Sequence, residues 1–202
     1  MPSPGRLVEG AHYHIFGRGT NRENIFLEER NYTHFMRLYE QHVAPVADTF
    51  AYCLLRNHFH FLVRIKTIEE IQTLKVSLRP LGSVTTSPSR RLSNFLNAYA
   101  KAINAGYDRT GSLFQHPFGR VPVTTDKQFW AVVAYIHQNP QLHGLVEDFR
   151  DWKWSSYGVI LTEAPTQISR EAVLGLFGGR QAYLELHNQW QRSPHGIEEA
   201  DR

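Results

Sequence analysis

The feature that most constrains this chain is an alternation of polar and apolar side chains in Asn57-His58-Phe59-His60-Phe61-Leu62-Val63-Arg64-Ile65. Successive side chains of a β-strand point to opposite faces of the sheet. His58, His60 and Arg64 therefore share one face with Leu62. The other face is wholly apolar and consists of Phe59, Phe61, Val63 and Ile65. The stretch predicts a strand whose apolar face is buried against the core.

Three other runs predict strands that pair with this one. His12–Phe16 alternates and is rich in aromatic residues, as is typical of a strand. Val46–Leu54 is joined to His58 by only Leu55-Arg56-Asn57, which is short enough for a hairpin. Gly111–Val123 alternates loosely and is expected to contain a further strand.

Helical spacing of apolar residues predicts the other elements. Pro45 ends the first helix, Ser93 is a candidate cap for the third, and Asn139-Pro140 stops the fourth. Ser83–Ser89 is expected to be a loop. The predicted helices are Glu28–Val43, Ile68–Leu78, Ser93–Ile103, Lys127–Gln138, Arg170–Phe177 and Arg180–Trp190. This order predicts an α+β fold, an antiparallel sheet with helices packed on one face, followed by a short helical C-terminal tail.

Composition constrains the cellular location expected for the protein more than it constrains its function. The chain has 202 residues, of which 42% are hydrophobic, as expected for a globular protein. No apolar run reaches the roughly 18 residues of a membrane-spanning helix, and no signal peptide is evident. A single cysteine, Cys53, excludes an internal disulfide. We therefore expect a cytoplasmic protein without a membrane partner. The formal net charge of +3 favours nucleic acid only slightly.

The histidine pair His58 and His60 is a candidate metal site. Two imidazoles spaced two residues apart on a strand can both reach one divalent cation. A pair on a solvated sheet face would look the same. His12-Tyr13-His14 has the same spacing on the first strand, so the pair alone does not identify the chemistry.

Tyr135 is a candidate nucleophile near the end of its predicted helix. Gln138 and Asn139 follow it by three and four residues and so share its helix face. A phenol, with a pKa near ~10, is a weak nucleophile unless a cation polarises its target. Packing of Tyr135 against Val132 and Ile136 is the alternative.

Five motifs in a fixed order connect these candidates to a known family. The chain from about Tyr13 to Tyr157 resembles the single-tyrosine transposases of the HUH endonuclease class, in particular the branch called REP-associated tyrosine transposases. The motifs are Tyr13-His14-Ile15-Phe16-Gly17-Arg18-Gly19, Asn57-His58-Phe59-His60-Phe61-Leu62, Thr110-Gly111-Ser112-Leu113-Phe114-Gln115, Tyr135-Ile136-His137-Gln138-Asn139-Pro140 and Trp154-Ser155-Ser156-Tyr157.

The resemblance implies a site as well as a fold. It implies a ferredoxin-like sheet with His58 and His60 as metal ligands, a Mg²⁺ or Mn²⁺ ion, and Tyr135 as the nucleophile. Asn139 matches the third ligand, although Gln138 competes for that role, and His14 is at most a contact to DNA or to a metal ligand. We assign residues 8–160 to the catalytic domain and 161–202 to a helical accessory segment.

The function implied is nicking and strand transfer of single-stranded DNA through a 5′-phosphotyrosine intermediate, as in DNA transposition. The expected substrate is single-stranded or hairpin DNA, and a complete exchange would need sequential reactions or a homodimer. A hairpin DNA or RNA binding protein without transposition activity, and a metal-dependent hydrolase using water, are the alternatives. The candidate DNA contacts are Arg18, Asn21, Arg22, Arg90, Arg91, Lys101, Arg109, Arg120 and Phe114.

Overall fold

The centre of the molecule is a four-stranded antiparallel sheet. A computed structural model describes residues 6–77 and 87–191. The strands are β1 (His12–Arg18), β2 (Ala47–Leu54), β3 (His58–Ile65) and β4 (Gly119–Val123), in the order β2-β3-β1-β4. Every neighbouring pair is antiparallel. This order and the helical crossovers after β1 and β3 confirm the predicted α+β class and ferredoxin-like sheet.

Seven α-helices surround the sheet. They are α1 (Glu29–His42), α2 (Ile68–Ser77), α3 (Pro88–Gly106), α4 (Asp126–Leu142), α5 (Ser156–Leu161), α6 (Arg170–Phe177) and α7 (Arg180–Gln191) among the described residues. Two 3-10 turns cover Thr20–Arg22 and Phe149–Asp151. Side-chain caps explain where several begin: Glu28 and Asn31 form a capping box at α1, and the Thr125 hydroxyl accepts from Gln128 N at α4.

Two predicted boundaries were wrong. Helix α3 is capped by Ser87 and begins at Pro88, so Ser93 lies inside the helix and bonds the Ser89 carbonyl. The strand expected within 111–123 is confirmed, and it is Gly119–Val123. Helix α4 continues through the buried Pro140 to Leu142, so Asn139-Pro140 does not end it. Leu78 and residues 83–86 lie outside the described part of the chain.

One face of the sheet carries an aromatic core, which we call the aromatic face. Phe59, Phe61 and Ile15 point from the strands toward α1 and α3. Phe35 of α1, fully buried, packs against Phe59, and its ring centroid lies 4.6 Å from that of Phe95 in α3. The alternation in β3 is therefore confirmed on this side.

The other face, which we call the histidine face, is also covered, and the expectation that helices pack on one face alone was wrong. Helix α4 packs against β2 and β3 through Phe129, Val133 and Ile136, and these join Cys53 and Leu62 in a second apolar cluster. The reason is that β2 contributes further apolar side chains to this face, which α4 removes from water. Residues of α6 and α7, among them Val173, Phe177 and Tyr183, complete the same cluster.

The two edges of the sheet differ. The edge strand β2 meets isolated bridges from Ser155 and Ile168, whereas β4, which contains Pro122, forms the other edge. Within the described residues, no helix is both long enough and apolar enough to cross a membrane.

Candidate active site

The strand side of the candidate site consists of three buried histidines beneath α4. His14 on β1 and His58 and His60 on β3 point to the histidine face, as the alternation predicts. His60 Nδ1 lies 2.9 Å from His14 Nε2. His58 Nδ1 lies 2.7 Å from Oδ1 of Asn57. The Nδ1 atom of each member of the pair is thus held by a neighbouring side chain.

Helix α4 brings Tyr135 and Asn139 to this pair. The Tyr135 ring centroid lies 5.6 Å from that of His60 and 6.0 Å from that of His14. Asn139 Oδ1 lies 3.3 Å from His58 Nε2, and Asn139 Nδ2 donates to the Tyr135 carbonyl at 3.3 Å. Four side chains that the sequence singled out therefore meet between β3 and the C-terminal half of α4.

Electrostatics at the site favour neutral imidazole over imidazolium. Burial lowers the pKa of His60 well below its usual range, and the neighbouring His14 and His58 lower it further. A neutral imidazole keeps a nitrogen lone pair, which is the form that binds a metal ion. Among residues 6–77 and 87–191, no three histidine, cysteine or carboxylate side chains are arranged to hold a metal. A third protein ligand here would therefore have to be another kind of side chain, such as an amide oxygen.

The two amides that competed for that place lie in different surroundings. Asn139 faces His58, whereas the buried Gln138 donates from Nε2 to the His187 carbonyl at 3.1 Å, on the α7 side of the helix. The structure also adds His143, whose ring centroid is 4.6 Å from that of His58. Its spacing of four residues from Asn139 was the only signal in the sequence.

Three of the proposed DNA contacts lie near the site. Arg18 pairs with His58 across β1 and β3 and so shares its face. Asn21 and Arg22 are exposed and have positive φ values of 56° and 60°. Asn57 Nδ2 donates to the Arg22 carbonyl at 3.2 Å, which ties this turn to the residue that contacts His58.

The remaining proposed contacts are not brought to the site. Arg90, Arg91 and Lys101 lie on α3, which packs on the aromatic face. Arg120 stacks on Phe118 and donates to Ser89 at the start of α3, and Arg109 pairs with Glu23. Phe114 was interpreted as a surface for base stacking, but only 3% of it is exposed because it packs against Phe59 and Tyr99.

Comparison with known proteins supports one class and one family. The fold is similar to that of a REP-associated tyrosine transposase solved in complex with a REP hairpin. The two structures align with a TM-score of 0.59 and 17% identity, over 82% of this chain and 88% of that one. The sequence is 26% identical over 110 residues to a Haemophilus influenzae protein described as a REP-associated tyrosine transposase. These two similarities support the family that the five motifs indicate.

The sequence match has a limited extent. It covers 54% of this chain and 58% of the Haemophilus influenzae relative, so less than two thirds of that protein is represented. No protein-family model matches the chain.

Proposed function

We propose that this chain nicks and rejoins single-stranded or hairpin DNA, with Tyr135 as nucleophile and a divalent cation held by His58, His60 and Asn139. The observation that carries the proposal is the convergence of these four side chains between β3 and α4. Both similar proteins are described as tyrosine transposases, and one of them was solved with a REP hairpin. Hairpin DNA is accordingly the first substrate to test.

The hydrogen bonds around His58 support a cation there. A neutral imidazole has one N–H, and at His58 Nδ1 donates it to Asn57 Oδ1, which leaves a lone pair on Nε2. Asn139 Oδ1 is also an acceptor, because the amide nitrogen donates to the Tyr135 carbonyl. Two electron-pair donors thus face each other at 3.3 Å. Neighbouring ligands of a six-coordinate ion are about 3 Å apart, so the donor pair fits a metal.

His60 is also held through Nδ1, which lies 2.9 Å from His14 Nε2. In the proposed site His60 Nδ1 donates to His14, and Nε2 binds the metal. Fixing the second ring nitrogen by a neighbouring side chain is what orients metal-binding histidines. Imidazole nitrogens suit Mg²⁺ less well than later divalent ions, so we expect Mn²⁺ to bind more tightly than Mg²⁺.

The chain's own groups account for the remaining chemistry. When bound, the cation neutralises charge that develops on the scissile phosphate. The Tyr135 oxygen forms a bond to phosphorus and loses its proton, while the bond from phosphorus to the 3′ oxygen breaks and that oxygen takes up a proton. The product is a 5′-phosphotyrosine and a free 3′-hydroxyl. The reverse attack by a 3′-hydroxyl rejoins the strand.

Replacing Tyr135 with phenylalanine tests the proposal directly. Tyr135→Phe removes one oxygen, so we expect cleavage and the covalent protein–DNA adduct to disappear while hairpin affinity and melting temperature stay the same. The matched control is Tyr52→Phe, because Tyr52 packs against Phe61 on the aromatic face. Both are measured on denaturing gels with end-labelled hairpins. Full cleavage by Tyr135→Phe would instead indicate metal-activated water.

The form of the substrate and the need for metal are tested with the same gels. A single strand bends freely enough to present one phosphate to both Tyr135 and the cation, whereas a paired strand restricts this. We expect cleavage of single-stranded or hairpin DNA with Mn²⁺ or Mg²⁺, little cleavage of the matching duplex, and none with EDTA. Hairpin binding without cleavage under all these conditions would support the binding-protein alternative.

A further inference from the structure

A second group of buried polar side chains lies behind α4, on the side away from His58. It consists of His137 on α4, His187 and Tyr183 on α7, and Ser156 at the start of α5, all of them buried. The metal-dependent chemistry proposed above uses none of them. Burying imidazoles is costly unless their nitrogens are hydrogen-bonded. The way in which these nitrogens are bonded therefore indicates what the cluster does.

The hydrogen bonds of this cluster run in one direction. His187 Nδ1 lies 2.7 Å from the Tyr183 carbonyl and must carry the proton, so its Nε2 accepts. His137 Nδ1, 2.8 Å away, is the donor to it. His137 Nε2 then accepts from the Ser156 hydroxyl at 2.8 Å. Burial lowers the pKa of His187 to about 4, which agrees with a neutral ring.

The chain of bonds continues into the sheet. The Ser156 hydroxyl oxygen accepts from the backbone N–H of Tyr52 in β2 at 2.8 Å. Two of the five sequence motifs, Tyr135–Pro140 and Trp154–Tyr157, thus meet at the contact between His137 and Ser156. These hydrogen bonds connect α4 to β2 and α5 through Ser156, and to α7 through His187.

The contacts from α7 fall at the level of the candidate nucleophile. His187 Nε2 accepts a hydrogen bond from His137 Nδ1, and the His187 carbonyl accepts one from the Gln138 amide at 3.1 Å. His137 and Gln138 lie between Tyr135 and Asn139 in the same helix. The tip of a long side chain stands about 6 Å from its helix axis, so turning α4 by ~10° would move it by about 1 Å. A displacement of about 1 Å can cost roughly a hundredfold in rate.

We propose that His187 is a positioning residue: through His137 and Gln138, helix α7 fixes the rotation of α4 and so aims Tyr135 and Asn139 at the histidine pair. This inference rests on the function proposed above. It makes α7 part of the machinery of the active site although no side chain described in α7 contacts the histidine pair. It also gives Gln138 a role other than that of metal ligand.

The test compares four forms of the full chain: the wild type, His187→Leu, His187→Gln and His187→Asn. Glutamine can place an oxygen near the position of Nε2 and accept from His137, whereas asparagine is too short and leucine has no acceptor. Gln189→Ala on the exposed side of α7 is the matched control. The measurements are single-turnover cleavage of a labelled hairpin, hairpin affinity, Mn²⁺ affinity in the absence of DNA, and melting temperature.

We expect leucine and asparagine at position 187 to slow cleavage by about 10- to 100-fold and to weaken Mn²⁺ binding several-fold, while hairpin affinity changes less than about threefold. His187→Gln should keep most of the wild-type cleavage rate and Mn²⁺ affinity, and Gln189→Ala should match the wild type in both. If the leucine variant does not fold, the difference between glutamine and asparagine remains as the test.

Two results would overturn the inference. One is equal cleavage and equal Mn²⁺ affinity in the glutamine, asparagine and wild-type proteins. The other is a parallel fall of hairpin affinity, cleavage and melting temperature, which would show that His187 supports folding alone. Failure of the proposed function looks different: Tyr135→Phe would still cleave, or the wild type would bind no Mn²⁺ and leave hairpins intact.

Discussion

The two faces of the central sheet are made from alternate residues of the same strands, yet they are stabilised differently. On the aromatic face, Phe59 and Phe61 pack against Phe35 and its neighbours, and buried histidines are absent from the part of that core that the structure describes. On the histidine face, His58 and His60 lie beneath α4, with a second buried histidine pair behind that helix. Apolar packing stabilises the aromatic face. On the histidine face, buried polar groups replace part of the apolar packing.

This division separates stability from chemistry. A buried aromatic side chain contributes through area removed from water and close packing, and it needs no specific partner. A buried imidazole is tolerated only where each nitrogen has a partner, so its neighbours are specified with it. We therefore expect substitutions on the aromatic face to change the free energy of unfolding and substitutions on the histidine face to change activity.

The largest effect is expected from Phe35→Ala. Phe35 is fully buried among aromatic rings, and its truncation should lower the free energy of unfolding by about 3–5 kcal/mol. Cleavage per folded molecule should stay the same, because Phe35 and Tyr135 lie on opposite sides of the sheet. Urea unfolding and hairpin cleavage at low temperature check the two halves, with Phe35→Leu as a milder control. A loss of cleavage without a decrease in the free energy of unfolding would contradict the difference expected between the two faces.

Substitution of the histidine pair should give the opposite pattern. His58→Ala or His60→Ala should lower cleavage at least about a hundredfold, equivalent to roughly 2.7 kcal/mol, and weaken Mn²⁺ binding. His12→Ala is the control, because His12 is on the same face but packs against Phe50 and Phe129. Equal damage from His12→Ala would mean that the metal pair has been assigned to the wrong strand.

Acid should destabilise the histidine cluster behind α4. Burial lowers the pKa of His187 to about 4 and that of His137 well below its usual range. Between the unfolded pKa near 6.5 and the folded pKa, the unfolded chain binds more protons, so this contribution to stability is fully present above about pH 6.5 and is lost as the pH falls toward 4.

The slope of this loss is measurable. Each such histidine contributes about 1.4 kcal/mol per pH unit. Urea titrations across this range in EDTA would measure the slope, and His187→Gln should reduce it by one histidine's share. A slope unchanged by that variant would show that other groups govern acid sensitivity.

The smallest effect concerns single surface charges. Arg18 lies on the histidine face and Lys101 on α3, which packs on the aromatic face. If DNA follows the histidine face, Arg18→Ala should weaken hairpin binding by up to about 1 kcal/mol and reduce its salt dependence by about one phosphate contact. Lys101→Ala should do neither. Equal losses would mean that bound DNA also reaches α3.

Local sequence patterns were sufficient to predict which residues form the aromatic face, because strand alternation indicates directly which side chains face a core. The candidate site required the motifs to be taken together, since neither His58 nor Tyr135 is informative alone. The cover that α4 forms over the histidine face was not predicted, because each strand pattern specifies its own faces but not what packs on them. His187 gave no local signal: its partner His137 is 50 residues away in the chain.

The two edges of the sheet determine how far it can grow. Along β4, Pro122 has no N–H to offer, and proline is accepted at an edge because no further strand needs that donor there. Along β2, bridges from Ser155 and Ile168 already use part of the backbone. A fifth strand is thus disfavoured on either side. Two copies of this chain that meet therefore gain little from joining their sheets edge to edge, and contact through side chains is favoured instead.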